Sequence, residues 1–369
     1  GFAMKSCDVL IIGAGPAGLM AALSAAEAGA SVVVLERAVR AGGQLVKQTH
    51  MFFGSREQYA SVRGVDIPAI LLNKLAKYGD KVEIICSCTA LGAYEDGVIT
   101  ALWEREKYLK FKPESLVIAT GAYEKSLTFP GNDLPGVYGA GAVQTLMNVH
   151  GVRPGNRVIM VGAGNIGLIV SYQLLQAGVE VVVVLDAAPK IGGYLVHAAK
   201  LARMGVPILV SHSVTAAYGK DCLERVAVSK LDEGFKPIEG SAVYYDVDAC
   251  CVSVGLSPLS ELPAMAGCGM CYIPQLGGMV PVRDEEYETT VKGIFVAGDV
   301  SGIEEASAAM VEGRLAGLYA AKRAGFAHEG LDTLAEECRA QLASLRGGES
   351  GGHIRAGLKL LSERGERNA

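Results

Sequence analysis

Two short segments join an apolar run to glycines spaced to grip a phosphate. The first reads Asp8-Val-Leu-Ile-Ile-Gly13-Ala-Gly15-Pro16-Ala17-Gly18. The second reads Arg157-Val-Ile-Met-Val-Gly162-Ala-Gly164-Asn165-Ile166-Gly167. In each, the first glycine permits a tight turn out of a strand and the second lets a pyrophosphate approach the backbone. The third lets the next helix pack closely on that strand. The phosphate then meets a helix N-terminus, whose free N–H groups and dipole favour negative charge. One such motif is weak evidence. Two copies 149 residues apart, in matching surroundings, imply two dinucleotides on one polypeptide and electron transfer between them.

Each glycine turn has its distal partner. Ala30-Ser-Val-Val-Val-Leu35-Glu36 follows the first helix, and Val179-Glu-Val-Val-Val-Val-Leu185-Asp186 follows the second. Glu36 and Asp186 each end a second strand about 20 residues past the last glycine, where a carboxylate can accept ribose hydroxyl hydrogen bonds. Further on, Gly42-Gly43-Gln44-Leu45-Val46 corresponds to Gly192-Gly193-Tyr194-Leu195-Val196, which reads as an internal duplication. Asp186 would repel a 2′-phosphate, and no arginine closely follows it, which favours NAD(H) over NADP(H). Arg37 follows Glu36, but the acid still occupies the ribose position.

Two more segments end apolar strands in small-residue turns: Ser115-Leu-Val-Ile-Ala119-Thr120-Gly121 and Gly293-Ile-Phe-Val-Ala-Gly298-Asp299. They resemble the ATG and GD motifs of two-dinucleotide flavoproteins of the pyridine nucleotide-disulfide oxidoreductase superfamily. The resemblance implies an α/β protein of two Rossmann-like domains, each three-layered (ββα), with the nicotinamide domain inserted in the FAD domain. It places FAD at the first glycine turn, with Asp299 on the ribitol or pyrophosphate. The helix expected from about Glu304 would point its N-terminus at the flavin N1/O2 edge, stabilising reduced flavin.

The elements that must position these residues follow in order. Residues 4–125 and 259–330 are expected to form a discontinuous FAD domain, 126–258 an NAD(P) domain, and 331–369 a helical and flexible tail. Small residues (Ala306, Ala309, Gly313, Ala316, Gly317 and Ala320) would let the helix near 304–324 pack tightly. Leu331, Leu334, Cys338, Leu342 and Leu345 predict an amphipathic helix. Gly347-Gly-Glu-Ser-Gly-Gly352 reads as a flexible linker before a charged, frayed or partner-bound end.

The bulk properties suit a compact α/β enzyme. The chain has 369 residues, half of them hydrophobic, enough for two or three domains. A net charge of −5 gives no reason to expect nucleic acid or an anionic membrane as partner. No apolar stretch of membrane-spanning length occurs. Gly1-Phe-Ala3 read as an expression remnant before a natural start at Met4, and Asp8 argues against a signal peptide. Nine cysteines without framework spacing indicate a reduced, cytoplasmic protein. Cys86 and Cys88 are expected on one strand face and Cys250 and Cys251 in an apolar strand, all as small buried hydrophobes.

Hydride transfer between a nicotinamide and a flavin asks for stacked rings and excluded water, and no general base is obligatory. The other half-reaction is less defined. Disulfide reductases of the superfamily carry a cysteine pair soon after the paired glycines or within the nicotinamide domain. Here the first segment has none, and residues 126–249 contain only Cys222. The sole CxxC, Cys268-Gly-Met-Cys271, has no companion pair for zinc or an iron–sulfur cluster. No metal site is expected.

Phe129-Pro-Gly-Asn-Asp-Leu-Pro-Gly-Val-Tyr138, Val152-Arg-Pro-Gly-Asn-Arg157, Leu276-Gly-Gly-Met-Val-Pro281 and Gly298-Asp-Val-Ser-Gly-Ile-Glu304-Glu305 resemble a narrower group. These are the alpha subunits of sarcosine oxidase, dye-linked proline or hydroxyproline dehydrogenase and hydrogen cyanide synthase. The resemblance runs from about residue 6 to 326. It implies an electron-transfer subunit whose partner, a beta-type flavoprotein, oxidises an amine. Longer members carry a C-terminal [2Fe-2S] module. This tail has only Cys338, and a small ferredoxin-like subunit could substitute. The family places residues near the isoalloxazine after the paired glycines, here Gln44 and Lys47, with His50 a weaker candidate. Glu304 and Glu305 are expected to cap the helix, the other reading being that they line the flavin edge. The other readings are a stand-alone thioredoxin-reductase-like enzyme using Cys268 and Cys271, and a non-catalytic FAD/NAD-binding assembly or sensor subunit.

Overall fold

A computed structural model describes residues 3–47, 59 and 62–368, apart from the side chains of residues 46, 47 and 368. His50 and the Lys47 side chain lie outside the described residues. The chain divides into two compact units, Gly1–Tyr123 with Ser257–Ala369, and Glu124–Leu256. The divisions fall at 123/124 and 256/257 rather than at 125/126 and 258/259.

The first unit begins with β1 (Met4–Ile12), α1 (Pro16–Glu27), β2 (Val32–Leu35), α2 (Ile67–Ala76), β3 (Val82–Ile85), β4 (Cys88–Ala93), β5 (Ile99–Trp103) and β6 (Lys107–Ile118). After β7 (Ala122–Glu124) the second unit holds β8 (Val137–Gly139), α3 (Ala140–Gln144), β9 (Arg157–Val161), α4 (Asn165–Gln176), β10 (Glu180–Asp186) and α5 (Leu195–Arg203). It continues through β11 (Ile208–Val210), β12 (His212–Tyr218), β13 (Arg225–Lys230), β14 (Val243–Asp246) and β15 (Ala249–Val252). The chain returns through β16 (Leu256–Pro258) to α6 (Glu261–Met265), β17 (Met270–Ile273), β18 (Gly278–Pro281), β19 (Ile294–Val296), α7 (Ala306–Arg323), α8 (Leu331–Leu345) and α9 (Gly352–Asn368).

Side chains alternate across a strand, so an unbroken apolar run fills two cores at once. In β1 and β2, Val9, Ile11, Val32 and Val34 face a helical layer containing α1, α2 and α7. Leu10, Ile12, Val33 and Leu35 face the other way, onto Cys88, Ile99, Ala101 and Phe111 of the β4–β6 meander. Strands β3, β2, β1, β6 and β19 run parallel, while β4, β5 and the start of β6 pair antiparallel.

The second unit repeats the plan. Its parallel sheet has the order β11-β10-β9-β15-β8. Val158 and Met160 pack with Leu168 and Leu174 of α4 and Leu201 of α5. Ile159 and Val161 pack with Val214, Val226 and Val228 of the β12–β14 meander. Each unit therefore has helix, parallel-sheet and antiparallel-meander layers. Cys250 and Cys251 are buried in β15, where desolvation raises both thiols.

Helix α7 crosses α1 at very short range. A Cβ on Gly313 would overlap the Ala17 carbonyl, and one on Gly317 would overlap Ser24 Oγ and the Ala21 carbonyl. Ser24 Oγ donates to the Arg314 carbonyl at 2.9 Å across this contact.

Three expectations change. Cys86 sits in the turn before β4 rather than on a strand with Cys88, because Ser87 takes φ +52° and breaks the extended run. The helix after Asp299 starts at Ala306, not Glu304. The charged end is not frayed. Helix α9 buries Ile354 and Leu361 against Ile273, Leu276 and Val280. The glycine segment before it is a bound turn, in which Arg355 Nη1 donates to the carbonyls of Arg346 and Gly348. The expected α8 helix buries Leu331, Ala335, Cys338 and Leu342 in the first unit's core.

Gly317→Ala should destabilise the protein by about 1–3 kcal/mol, the usual cost of forcing a methyl into a closed contact. Thermal denaturation followed by circular dichroism measures it. An unchanged midpoint would show that α1 and α7 separate without cost.

Candidate functional site

The strand register gathers the motif residues of the first unit. Ile12 pairs with Leu35 and with Ile118, and Ile118 pairs with Val296. The four tips are level, so Gly13–Gly18, Glu36–Arg37, Ala119–Gly121 and Gly298–Asp299 meet at the carboxyl edge of the sheet. Open α/β sheets bind ligands at that edge.

The glycines of the first turn divide into two kinds. Gly13 has φ +105°, and a Cβ there would overlap the Ala119 carbonyl. A Cβ on Gly18 would overlap the Gly13 carbonyl. The fold itself requires both. Gly15 has φ −79°, open to any residue, and a Cβ there would meet nothing nearer than Gly43 Cα at 3.8 Å. Pro16 opens α1, so the helix N-terminus with Ala17 and Gly18 begins at this open space. The absent side chain at 15 leaves room for a pyrophosphate, which fits the group that the motif implies.

The second unit reproduces the division. Gly162 has φ +112° and lies against the Ser253 carbonyl, and Gly167 lies against the Gly162 carbonyl. Gly164 has φ −73°, and a Cβ there would have nothing within 4 Å. Ile166 is exposed on the first turn of α4. Asn165, expected to face a cofactor, accepts the Tyr194 N–H on Oδ1 at 2.7 Å, which ties the α4 start to the loop before α5.

The two acids are held alike. Glu36 accepts the Ala14 N–H at 3.4 Å and the Ala38 N–H at 3.2 Å. Asp186 accepts the Ala163 N–H at 3.0 Å and the Ala188 N–H at 2.9 Å. Each carboxylate is braced at the level of its glycine turn and has lone pairs beyond those two bonds. The paired glycines correspond with an offset of one. Gly42 donates to the Ala14 carbonyl at 2.8 Å, whereas Gly193 donates to that of Ala163 at 3.0 Å. Gly43 has φ +54°, and a Cβ on it would lie 2.8 Å from Gly15 Cα. Gln44 follows, exposed, in the 3₁₀ turn Gly43–Lys47.

A cleft of about 200 Å³ opens beside Gly13, Glu36 and Arg37. Thr120, Leu259, Glu261, Leu262 and the Cys88–Ala90 stretch of β4 also line it. Thr120 Oγ1 donates to the Leu259 carbonyl at 3.3 Å, and the Gly121 carbonyl accepts the Leu259 N–H. Sequence motifs do not flag the β4 and α6 residues, because they come together only when the meander folds over the sheet.

Gly298 has φ +81°, and a Cβ on it would lie 2.8 Å from that of Ala17, so this turn abuts the start of α1. Asp299 Oδ1 accepts the Glu304 N–H at 3.2 Å. Desolvation raises the Asp299 carboxyl to about 7, against the Glu304 N–H that lowers it and with help from the nearby charges of Glu312 and Glu304. Glu304 does not cap α7, since its carboxylate receives Nε and Nη2 of Arg346 at 2.6–3.1 Å. Glu305 occupies the N-cap position without a side-chain capping bond.

Cys268 and Cys271 are both buried. Cys268 Sγ donates to Thr289 Oγ1 at 3.3 Å, and burial pushes its thiol up. A raised thiol disfavours the thiolate that disulfide exchange requires.

The pyridine nucleotide-disulphide oxidoreductase family model matches residues 7–313. The chain belongs to that family. Membership makes it, by class, an FAD-dependent oxidoreductase of the type that binds FAD and a pyridine nucleotide. Among relatives, an opine oxidase subunit of Agrobacterium tumefaciens is 29% identical over 85% of this chain and 65% of its own length. The alpha subunit of sarcosine oxidase from a Corynebacterium species is 27% identical over 86% of this chain and 33% of its own length. The chain thus spans between a third and two thirds of these two relatives. The crystal structure of L-proline dehydrogenase from P. horikoshii superposes with a TM-score of 0.69 at 24% identity, covering 92% of this chain and 60% of that one. This last likeness is one of fold. No helix among the described residues is long and apolar enough to cross a membrane.

A carboxyl that keeps its proton in the folded state up to about 7 but loses it near 4 when unfolded stabilises the fold at low pH. That contribution fades as pH rises from about 4 through 7. The FAD-free protein should therefore gain thermal stability on going from pH 8 to pH 5.5, and Asp299→Asn should remove part of the gain. Equal pH slopes for the two proteins would contradict the assignment.

Proposed function

We propose that the first unit holds FAD, the second holds NAD(H), and the chain transfers hydride between nicotinamide and flavin. In this reading it is the alpha-type, electron-transferring subunit of a hetero-oligomeric amine or amino-acid dehydrogenase. The observation that carries the reading is the repeated contrast within each glycine turn. The backbone requires glycine at 13, 18, 162 and 167, yet leaves 15 and 164 open to any side chain. Glycine at those two positions is explained by a ligand approaching from outside the fold.

Each residue then has a task. The N-termini of α1 and α4 would receive the pyrophosphates. Glu36 and Asp186 would bind ribose hydroxyls, and the braced negative charge of Asp186 would repel a 2′-phosphate, favouring NAD(H). Thr120, Gly121 and Leu259 shape the cleft, while Gly298 and Asp299 present the flavin-side turn. Gln44 and Lys47 are assigned to the flavin-proximal loop. The two cofactors when bound supply the hydride chemistry, so the chain's share is to bind, orient and exclude water. The relatives named as subunits of opine and sarcosine oxidases support a beta-type flavoprotein partner that meets the amine. A small ferredoxin-like protein is a further candidate partner. Burial of Cys268 and Cys271 weighs against a stand-alone disulfide reductase.

Gly164→Val should leave FAD uptake and the melting temperature unchanged, while slowing anaerobic bleaching of the flavin by NADH about 100-fold, equivalent to about 2.7 kcal/mol. Stopped-flow absorbance reads the rate. Normal bleaching in this variant would place the nicotinamide elsewhere, and no bleaching in the unaltered protein would favour a non-catalytic role. The double variant Cys268→Ser/Cys271→Ser should bleach within about twofold of the unaltered protein. A loss of flavin reoxidation by disulfides in that variant would restore the reductase reading.

A further inference from the structure

The loop from Gly298 to Glu304 is only partly held by its own hydrogen bonds. Gly298 and Gly302 both take positive φ, +81° and +144°. Within it lie one turn of backbone hydrogen bonds, from Ser301 to Gly298 and from Gly302 to Asp299, and the Glu304 N–H donated to Asp299 Oδ1. The remaining restraints come from elsewhere, and most converge on one side chain. Arg346 follows α8, and its side chain is 11% exposed. It donates through Nε and Nη2 to Glu304, at the far end of the loop. Nη2 also donates to Glu312 Oε2 at 3.0 Å. The other oxygen of Glu312 accepts the Gly298 N–H at 3.1 Å, at the near end. The guanidinium thus holds both ends of the turn that presents Asp299.

The charges close around the same group. Arg283 Nη2 stands 3.8 Å from Glu312 Oε2, and its guanidinium lies 4.1 Å from the centre of the Tyr287 ring. Two carboxylates, Glu304 and Glu312, therefore face two guanidiniums, Arg283 and Arg346. Asp299 is a third carboxyl beside them, and among the described residues both guanidiniums of this cluster already face Glu304 and Glu312. Neutral Asp299 completes a balanced cluster, and an anionic one would leave a net negative charge in a desolvated place. Helix α9 adds a second hold. The Leu276 carbonyl accepts the Ile303 N–H at 2.9 Å, and a Cβ on Gly357 of α9 would lie 2.8 Å from Leu276 Cγ.

We infer that α8 and α9 are part of the cofactor site rather than an appendage, and that Arg346 is the positioning residue that shapes the Gly298–Glu304 loop for the flavin. The inference rests on the reading that this turn meets FAD. A planar, forked guanidinium suits the task, because it can bind one carboxylate in a bidentate manner and still reach a second. A lysine has the charge without the fork.

The test uses the full chain, freed of flavin, with FAD affinity measured by fluorescence quenching and stability by thermal melting. Arg346→Lys should weaken FAD binding about tenfold. Arg346→Met should weaken it further and also lower the melting temperature, because two carboxylates are left facing one cation. Glu304→Gln combined with Arg346→Met removes one charge of each sign. That pair should recover the melting temperature but not the FAD affinity, since the loop is still ungripped. Recovery of both together, or Arg346→Lys binding FAD within twofold of the unaltered protein, would reduce Arg346 to an ordinary buried ion pair and overturn the inference. If the unaltered protein itself takes up no FAD, the underlying cofactor reading has failed instead.

Discussion

The Gly13 backbone lies so close to the Ala119 carbonyl that a single added carbon would overlap it, and Gly162 stands in the same relation to Ser253. Everything at the two sites depends on that closeness. It sets β1 against β6 in the first unit and β9 against β15 in the second, each pair at one level, and turns the chain sharply into a helix whose N-terminus faces the sheet edge. The third glycine, packed on the carbonyl of the first, then fixes the depth of the helix. With turn and helix locked by steric contact, the middle glycine is left pointing at open space. The open space at the helix N-terminus is thus a by-product of packing, and it repeats because the packing repeats.

The braced acids belong to the same constraint. Glu36 and Asp186 each hold the N–H of the residue after the first glycine and the N–H two residues beyond the acid itself. A carboxylate used in this way reinforces the turn and remains available to a hydroxyl. Structure and recognition are therefore hard to separate at these positions. The contrast is with Asn165, which the motif places beside a ligand but whose side chain oxygen is spent on the Tyr194 N–H.

The C-terminal region shows how a local pattern can mislead. Six residues with four glycines suggest a loose connection, yet Gly347–Gly352 is a turn held by the Arg355 guanidinium. The helix beyond it uses two glycines, Gly357 and Gly365, to come close to Leu276 and Val282. Glycine content reports backbone freedom in the unfolded chain as readily as close contact in the folded one, and sequence alone does not distinguish the two. Glu304 is a similar case. An acid just before a helix favours capping by position alone, but a forked cation 42 residues away takes its carboxylate.

The amino-acid sequence by itself determined the two glycine turns, the acids that follow them, the strands that carry them and the class of fold. These features are local: unbroken apolar runs, glycines at set intervals and an acid at a strand end are each written within about 30 residues. Which residues of β4 and α6 line the cleft, and that Arg346 holds both ends of the Asp299 loop, were decided only by the tertiary structure. Those partners lie tens of residues apart and carry no shared spacing. Their meeting depends on a meander folding over one face of a sheet and on α8 packing into the helical core on the other, and only packing of the whole unit sets those distances.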